Sequence, residues 1–214
     1  MTVKIDLIML DFDGTIADSL PAAIASVQAM LRELGYPEKS AVEIGRYIGF
    51  GERSLVEGAI GSRDEILVAQ AQAVYYKHNL ENIKAVKLFP HVKEFLETYK
   101  NKLMAVISNK RDEFIELILE KQRVRDYFAE IKGGDSSSCL KPDPCAINEI
   151  LKKHGINAER ALYIGDMTID VATGRNAGVH TCAVTYGFHD AAALKQAKPD
   201  FLIGDLLELG GYIV

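Results

Sequence analysis

Residues 3–15 read VKIDLIMLDFDGT, a short run of large apolar side chains that ends in two aspartates and a glycine. Such a run, stopped abruptly by turn residues, predicts a buried strand followed by a tight turn. Further along the chain, short apolar runs alternate with helical or loop segments, at residues 103–107, 129–131, 161–164, 181–184 and 201–203. This alternation predicts an α/β fold with a doubly wound, mainly parallel sheet covered by helices on both faces.

Between the first strand and this alternation, the chain has a helical character. An apolar stripe at spacings of three and four predicts one amphipathic helix, formed by Leu20, Ile24, Val27, Leu31 and Leu34. Residues 40–82 contain no alternating run and are rich in residues that favour helix. We therefore expect residues 17–85 to form a helical cap domain, inserted into an α/β core domain of residues 1–16 and 86–214.

The composition and charge argue against nucleic acids and membranes as binding partners. The 214 residues carry 25 Lys and Arg against 30 Asp and Glu, a formal charge of −5, and 48% of them are hydrophobic. A dedicated nucleic-acid binder normally carries a cluster of basic residues, and the sequence has none. The N-terminal apolar run is interrupted by Lys4, Asp6 and Asp11, unlike a signal peptide, and no apolar run is long enough to cross a bilayer. We expect a cytoplasmic protein, monomeric or homodimeric, without nucleic-acid or membrane partners.

The cysteines Cys139, Cys145 and Cys182 are odd in number and lack CxxC spacing. This pattern favours neither a disulfide framework nor a zinc site. We expect all of these thiols to be reduced.

In parallel α/β sheets, ligands bind beyond the carboxyl ends of the strands. Polar residues stand at four such places in this sequence: Asp11 and Asp13; Ser108, Asn109 and Lys110; Lys141 of a KPDP run; and Asp166 with Asp170. Carboxylates gathered at one rim repel one another, so an oxygen-seeking cation such as Mg²⁺ is the natural counterion. Mg²⁺ keeps coordination positions for waters and phosphate oxygens, which predicts a phosphoryl group as the ligand. Lys141 and the backbone amides near Gly14 would complete an anion cradle.

Taken alone, each of these residues has an ordinary structural explanation. An Asp after a strand most often closes a turn or caps a helix, Ser108 suits a helix N-cap as well as a ligand contact, and Lys141 suits a solvated loop. Complementary groups at several strand ends, together with the doubled aspartate of DFDGT, favour a functional site instead.

The segments that carry these residues resemble the four motifs of the haloacid dehalogenase superfamily, in order and with suitable spacing: DFDGTIADS (11–19), VISNK (106–110), KPDP (141–144) and GDMTID (165–170). In that superfamily the first Asp is a nucleophile, and an Asp two positions later, here Asp13, is typical of phosphatases and phosphomutases. The resemblance implies a Rossmann-like core, a small helical cap and Mg²⁺ as cofactor. Met167 departs from the family pattern, in which Ser or Thr commonly follows the Asp of the fourth motif.

Further stretches resemble the phosphoglycolate phosphatases within this superfamily, at residues 47–60, 88–100, 127–135 and 184–188. The resemblance implies an Mg²⁺-dependent phosphomonoester hydrolase that forms an aspartyl-phosphate and acts on a small phosphorylated acid such as 2-phosphoglycolate. A β-phosphoglucomutase-like phosphomutase and an inorganic pyrophosphatase remain as alternatives, because they share much of this pattern.

The resemblance also implies roles for the catalytic residues. Asp11 would attack the phosphorus, and Asp13 would act as general acid and then as general base. Ser108 and Lys141 would hold the phosphoryl oxygens.

A second group of residues is expected to hold the metal and the substrate. Asp11, Asp166 and the main-chain carbonyl of Asp13 would bind Mg²⁺, while Asp170 would orient Lys141 or a metal-bound water. The expected substrate contacts are Gly14, Thr15, Asn109 and, at the carboxylate of a small acid, Arg53.

Two other classes share parts of the pattern. A phospho-receiver also uses acidic residues, a hydroxyl and a lysine, but such modules are considerably shorter than this chain and lack a helical insert after the first strand. A non-catalytic binding protein on the same scaffold would need an unseen cause of inactivity, because every motif residue is present.

Overall fold

The computed structural model describes residues 2–135 and 139–214. The strands are β1 (Leu7–Leu10), β2 (Ala17–Asp18), β3 (Lys87–Leu88), β4 (Leu103–Ile107), β5 (Glu130–Lys132), β6 (Ala161–Gly165), β7 (His180–Val184) and β8 (Phe201–Ile203). The α-helices are α1 (Leu20–Glu33), α2 (Ala41–Gly45), α3 (Glu52–Ile60), α4 (Glu65–Asn82), α5 (Val92–Thr98), α6 (Asp112–Gln122), α7 (Cys145–His154), α8 (Thr168–Ala177) and α9 (Ala191–Ala197). Short 3₁₀ helices lie at Ile83–Ala85, Arg125–Tyr127, Ala158–Arg160 and Leu206–Gly211.

Six of the described strands form one parallel sheet in the order β5-β4-β1-β6-β7-β8. β1 is buried along its whole length, and its side chains alternate between the two faces. Ile8 and Leu10 pack into the apolar cluster on one face, while Leu7 and Met9 pack into the cluster on the other. Each apolar run that the sequence predicts as a strand lies in this sheet, so the predicted fold class is confirmed.

The strand order places the predicted site residues together. The chain runs from β1 to β4 and β5 on one side, then returns to β6, β7 and β8 on the other, so the order reverses beside β1. Leu10 of β1 is in register with Val106 of β4 and with Ile164 of β6. The loops that follow these three strands therefore meet at one edge, where α/β proteins bind ligands.

Helices α1 to α4 build an apolar cluster of their own, and a few of their side chains, such as Leu80, also pack against the cluster that covers the sheet. The chain passes between these two parts through β2 and β3, which pair antiparallel with Ala17 opposite Leu88. Strands of two residues carry no readable period, which is why the sequence did not predict them. This packing supports residues 17–85 as the cap, a division that we keep as a proposal.

The expectation of three reduced cysteines is wrong for two of them. Cys139 and Cys145 are joined as a disulfide, with Cα atoms 6.4 Å apart, a separation that a disulfide accommodates. The turn through the KPDP run brings them together, although they lack CxxC spacing. Cys182 is a free thiol buried in β7.

The sequence predicts no segment long enough and apolar enough to cross a bilayer. In the parts of the chain that the structure describes, no helix combines the length and the apolar character needed to span a bilayer.

Candidate active site

Three aspartates of the described chain come together at the carboxyl ends of the central strands. Asp11 follows β1, Asp166 follows β6, and Asp170 lies in the first turn of α8. One carboxylate oxygen from each lies within 4.8 Å of those of the other two, and all three side chains are buried. The structure thus gathers carboxylates that are up to 159 positions apart in the sequence, from Asp11 to Asp170.

Lys141 is the cation that reaches into this cluster. Its Nζ lies 2.6 Å from Asp11 Oδ1 and 2.6 Å from Asp170 Oδ1. Burial by itself lowers the pKa of Lys141, but the charges of Asp11 and Asp170 outweigh it and hold this pKa well above its usual range. Lys141 is therefore protonated at neutral pH.

Burial is the largest influence on the pKa of Asp11. Desolvation raises it, the charge of Lys141 opposes that rise, and the charge of Asp170 adds to it, which brings the pKa to about 7. A carboxylate that ionises near neutral pH in a dry site is a competent nucleophile for phosphorus.

Asp166 has a different environment. Its oxygens accept hydrogen bonds from the Phe188 N–H at 2.7 Å and, weakly, from the Thr15 hydroxyl at 3.4 Å. Burial, followed by the charges of Asp11 and Asp170, raises the pKa of Asp166 well above its usual range. No Lys, Arg or His of the described chain forms a salt bridge with it, so its negative charge lacks a partner that a cation would supply.

Two glycines allow the loops to close on Asp166. A Cβ atom at Gly14 would lie 2.2 Å from Asp166 Oδ2, and one at Gly187 would lie 2.3 Å from the Asp166 Cβ. Gly14 also has a φ of 86°, in the left-handed region that favours glycine. In the sequence Gly187 stands only within the stretch 184–188, and the fold brings it against Asp166.

Asp170 lies where it can orient Lys141. Its Oδ1 accepts from Lys141 and, at 3.3 Å, from the Tyr163 hydroxyl. Its Oδ2 accepts from the Met167 N–H at 2.9 Å. Both oxygens of Asp170 thus have protein donors, which suits a positioning residue better than a metal ligand.

Asn109 connects three loops. Its Oδ1 accepts from the Lys141 N–H at 2.8 Å, and its Nδ2 donates to the Gly49 carbonyl in the cap at 2.9 Å. These bonds occupy the side-chain amide that the sequence assigned to the substrate. The Asn109 side chain therefore fixes the loop of Lys141 against residues 49–51, and its contact with the substrate stays a prediction.

The backbone N–H groups that are free to bind an anion are not those of Gly14 and Thr15. The Gly14 N–H donates to the Ala17 carbonyl at 3.0 Å, so it is already used, and the Thr15 side chain is fully buried against Asp166. The tight turn after β1 thus engages polar groups of Gly14 and Thr15, and their contact with the substrate stays a prediction. The N–H groups of Phe12, Asp13 and Asn109 have no hydrogen-bond acceptor among the described residues.

A cavity of about 50 Å³ lies above this site, between the core and the cap. Its floor includes Asp11, Asp13, Ser108 and Lys141, and its cap wall includes Tyr47, Ile48, Glu52, Leu55 and Tyr75. The catalytic residues predicted from the sequence therefore share one cavity.

Known proteins match this architecture. A profile of haloacid dehalogenase-like hydrolases matches residues 8–184, which include all four motif segments. The chain belongs to that family. It is 33% identical over 219 residues to the phosphoglycolate phosphatase of Vibrio cholerae, covering 96% of this chain and 97% of the relative. It is 33% identical to phosphoglycolate phosphatase 1 of Pseudomonas aeruginosa, covering 95% and 78%.

Solved structures agree in fold. The crystal structure of a predicted phosphoglycolate phosphatase from Haemophilus somnus superposes with a TM-score of 0.91 at 27% identity, covering 97% of each chain. A haloacid dehalogenase-like hydrolase from Bacteroides fragilis gives a TM-score of 0.89 at 27% identity, covering 96% of this chain and all of that one. The chain is thus an enzyme, a hydrolase of this family.

Asp13, the expected acid and base, is held by two side chains. Lys110 Nζ lies 3.1 Å from Asp13 Oδ1, and the Ser19 hydroxyl donates to the same carboxylate. The sequence placed Lys110 in the second motif without giving it a role. Its position two residues after Ser108 was the available signal, because that segment lies at the end of β4.

Arg53 does not reach the cavity. It lies on the exposed side of α3, 2.7 Å from Glu57 and 2.6 Å from Glu65. The preceding residue, Glu52, faces the cavity instead, because successive helical residues point about 100° apart. Arg53 therefore does not line the cavity in this structure, where the guanidinium belongs to Arg111, and its contact with the substrate stays a prediction.

Arg111 joins the core to the cap. Its Nε lies 2.6 Å from Glu52 Oε2, and its second guanidinium nitrogen lies 2.8 Å from Glu52 Oε1. Such a bidentate pair fixes both distance and angle between two side chains. The pair therefore helps to set the height of the cavity.

Proposed function

We propose that the chain is an Mg²⁺-dependent phosphomonoester hydrolase that acts through an aspartyl-phosphate on Asp11. The observation that carries this proposal is the buried Asp11 carboxylate, 2.6 Å from the Lys141 ammonium, at the floor of a cavity. The names of the relatives support a phosphorylated acid, with 2-phosphoglycolate as the first candidate.

The residues present fit a divalent cation. Three buried carboxylates face a single ammonium, so the cluster carries excess negative charge that a hard cation with oxygen ligands would balance. Asp11, Asp166 and the main-chain carbonyl of Asp13 would hold Mg²⁺. When bound, the ion supplies positive charge to the phosphoryl oxygens.

In the first step, a carboxylate oxygen of Asp11 attacks phosphorus in line with the ester oxygen, and the bond from phosphorus to that oxygen breaks. Asp13 gives its proton to the leaving alkoxide. In the second step, Asp13 takes a proton from water, which attacks the phosphorus, restores Asp11 and releases phosphate. Lys110 and Ser19 hold Asp13 in place for both transfers.

Donors of the chain itself bind the remaining phosphoryl oxygens. The Lys141 ammonium and the Ser108 hydroxyl lie on the cavity floor beside Asp11. The N–H groups of Phe12, Asp13 and Asn109 have no acceptor in the described chain and are available to the phosphoryl group. Donors fixed before the reaction stabilise charge without reorganisation.

The size of the cavity supports a small substrate. A water-sized group occupies roughly 10–15 Å³, so a cavity of about 50 Å³ admits only a few groups beside the reacting centre. A small phosphorylated acid fits this space, in line with the names of the relatives.

The test is phosphate release with Mg²⁺ from 2-phosphoglycolate, pyrophosphate and hexose phosphates. Asp11→Asn is expected to lower kcat by about 1,000-fold or more, because the nucleophile is lost. Asp126→Asn, at an exposed position outside the site, is the matched control and keeps full activity. Full activity of Asp11→Asn would overturn the proposal, and preferential use of pyrophosphate would favour the pyrophosphatase.

A further inference from the structure

Tyr75 of α4 has a hydroxyl that the protein leaves without a partner. The residue is only 4% exposed and lines the cavity from the cap side. Within the described ranges its hydroxyl forms no hydrogen bond, whereas the hydroxyl of its neighbour Tyr76 donates to Glu113 at 2.8 Å. The hydroxyl opens onto the cavity and is not sealed in the interior, so a bound ligand can accept its hydrogen bond.

The charged groups around Tyr75 are already paired with each other. Asp13, Glu52 and Arg111 are the charges that act on its phenol. Asp13 is bound to Lys110, and Glu52 is bound to Arg111. Tyr75 thus offers an uncommitted donor in a cavity that Lys110 and Arg111 also line, and each of these two cations is already paired with a carboxylate.

The hydroxyl of Tyr75 remains a donor at any working pH. Burial raises its pKa, and the charges of Asp13 and Glu52 raise it further. A phenol that keeps its proton pairs best with a strong acceptor, and a carboxylate is stronger than a neutral hydroxyl.

We propose that Tyr75 is the specificity residue of the cap and donates a hydrogen bond to the carboxylate at the non-reacting end of the substrate. This proposal rests on the proposed function. It adds the residue that binds the carboxylate of the substrate. It replaces Arg53, which points away from the cavity.

The test compares two substrates and two variants. Ethyl phosphate has the skeleton of 2-phosphoglycolate with a methyl group in place of the carboxylate. Tyr75→Phe is expected to lower kcat/KM for 2-phosphoglycolate by about 10- to 100-fold, mainly through KM, because a bond to a charged acceptor is lost. The same variant keeps kcat/KM for ethyl phosphate within about 2-fold.

Tyr76→Phe is the matched control, because it removes a hydroxyl of the adjacent residue that lies outside the cavity. It is expected to change both substrates by the same factor. Melting temperatures of both variants verify folding, which Tyr75→Phe retains since its ring is unchanged.

Three results would overturn the proposal: an equal loss on both substrates in Tyr75→Phe, no loss on either, or a wild-type enzyme that does not prefer 2-phosphoglycolate to ethyl phosphate. In each of these cases the esterase activity itself still stands. Absence of phosphate release from every ester would instead overturn the proposed function, and the specificity proposal with it.

Discussion

At the scale of single residues, Lys141 holds the site together. Its buried ammonium lies between Asp11 and Asp170, so it compensates charges that would otherwise repel each other in a dry environment. Removing one partner of a buried ionic group leaves uncompensated charge, which costs more than the ion pair contributes.

Lys141→Met is expected to lower the free energy of unfolding by about 3–5 kcal/mol at pH 8 and to abolish activity. The loss at pH 5 is smaller, because Asp11, with a pKa of about 7, then carries a proton. Urea unfolding at both pH values, without Mg²⁺, measures this difference. Lys93→Met on the exposed side of α5 is the control, and an equal loss at both pH values would contradict the explanation.

At the scale of elements, the turn between β1 and β2 decides how Asp166 is held. Gly14 combines a left-handed φ with direct contact to Asp166. Gly35, after α1, has a similar φ of 73°, but no atom lies within 4 Å of a Cβ built there. Substitutions at these two glycines therefore distinguish the effect of backbone strain from the effect of contact with Asp166.

Gly14→Ala and Gly35→Ala are both expected to lose roughly 1–2 kcal/mol of stability through the left-handed backbone. Only Gly14→Ala should also lose activity, by at least about 10-fold, because its methyl group displaces a carboxylate. Thermal unfolding and kcat/KM for each variant provide the comparison. Normal activity in Gly14→Ala would show that the turn tolerates the displacement.

At the scale of the whole molecule, the site lies between two separately packed parts. The two apolar clusters have different buried members, but Tyr76 and Leu80 of α4 also pack against the core cluster, and the Glu52–Arg111 ion pair crosses between them. The catalytic groups themselves lie at the ends of strands of the central sheet, which hold them in fixed positions.

The buried carboxylates make stability depend on pH and on Mg²⁺. Burial raises the pKa of Asp11 from 3.8 to about 7, so between these values the folded protein keeps a proton that the unfolded chain has lost. Without metal, stability therefore falls as the pH rises from 3.8 towards about 7, and this contribution levels off above about 7. Mg²⁺ binds the ionised form, so its increase of Tm should be larger at pH 8 than at pH 5, as measured by calorimetry.

Asp166→Asn is the control for that measurement, because it removes a proposed ligand. Its Tm should respond less to Mg²⁺ than that of the wild type at pH 8. An Mg²⁺ effect that is equal at both pH values, or unchanged in Asp166→Asn, would contradict the assignment of the ion to these carboxylates.

The sequence by itself determined the fold class and the family, because both depend on local patterns. Short apolar runs predict strands wherever they occur, and motif residues directly after a strand must lie at its carboxyl end. This is why Asp11, Ser108, Lys141 and Asp166 were predicted correctly to lie at one edge of the sheet.

The tertiary structure alone decided which polar atoms remain available to a ligand. The sequence could not show that the Gly14 amide and the Asn109 side chain are bonded internally, or that Arg53 turns outward while Tyr75 faces the cavity. The physical reason is that strand ends follow from periodicity, whereas hydrogen-bond partners depend on the rotation of each helix and on contacts between distant segments.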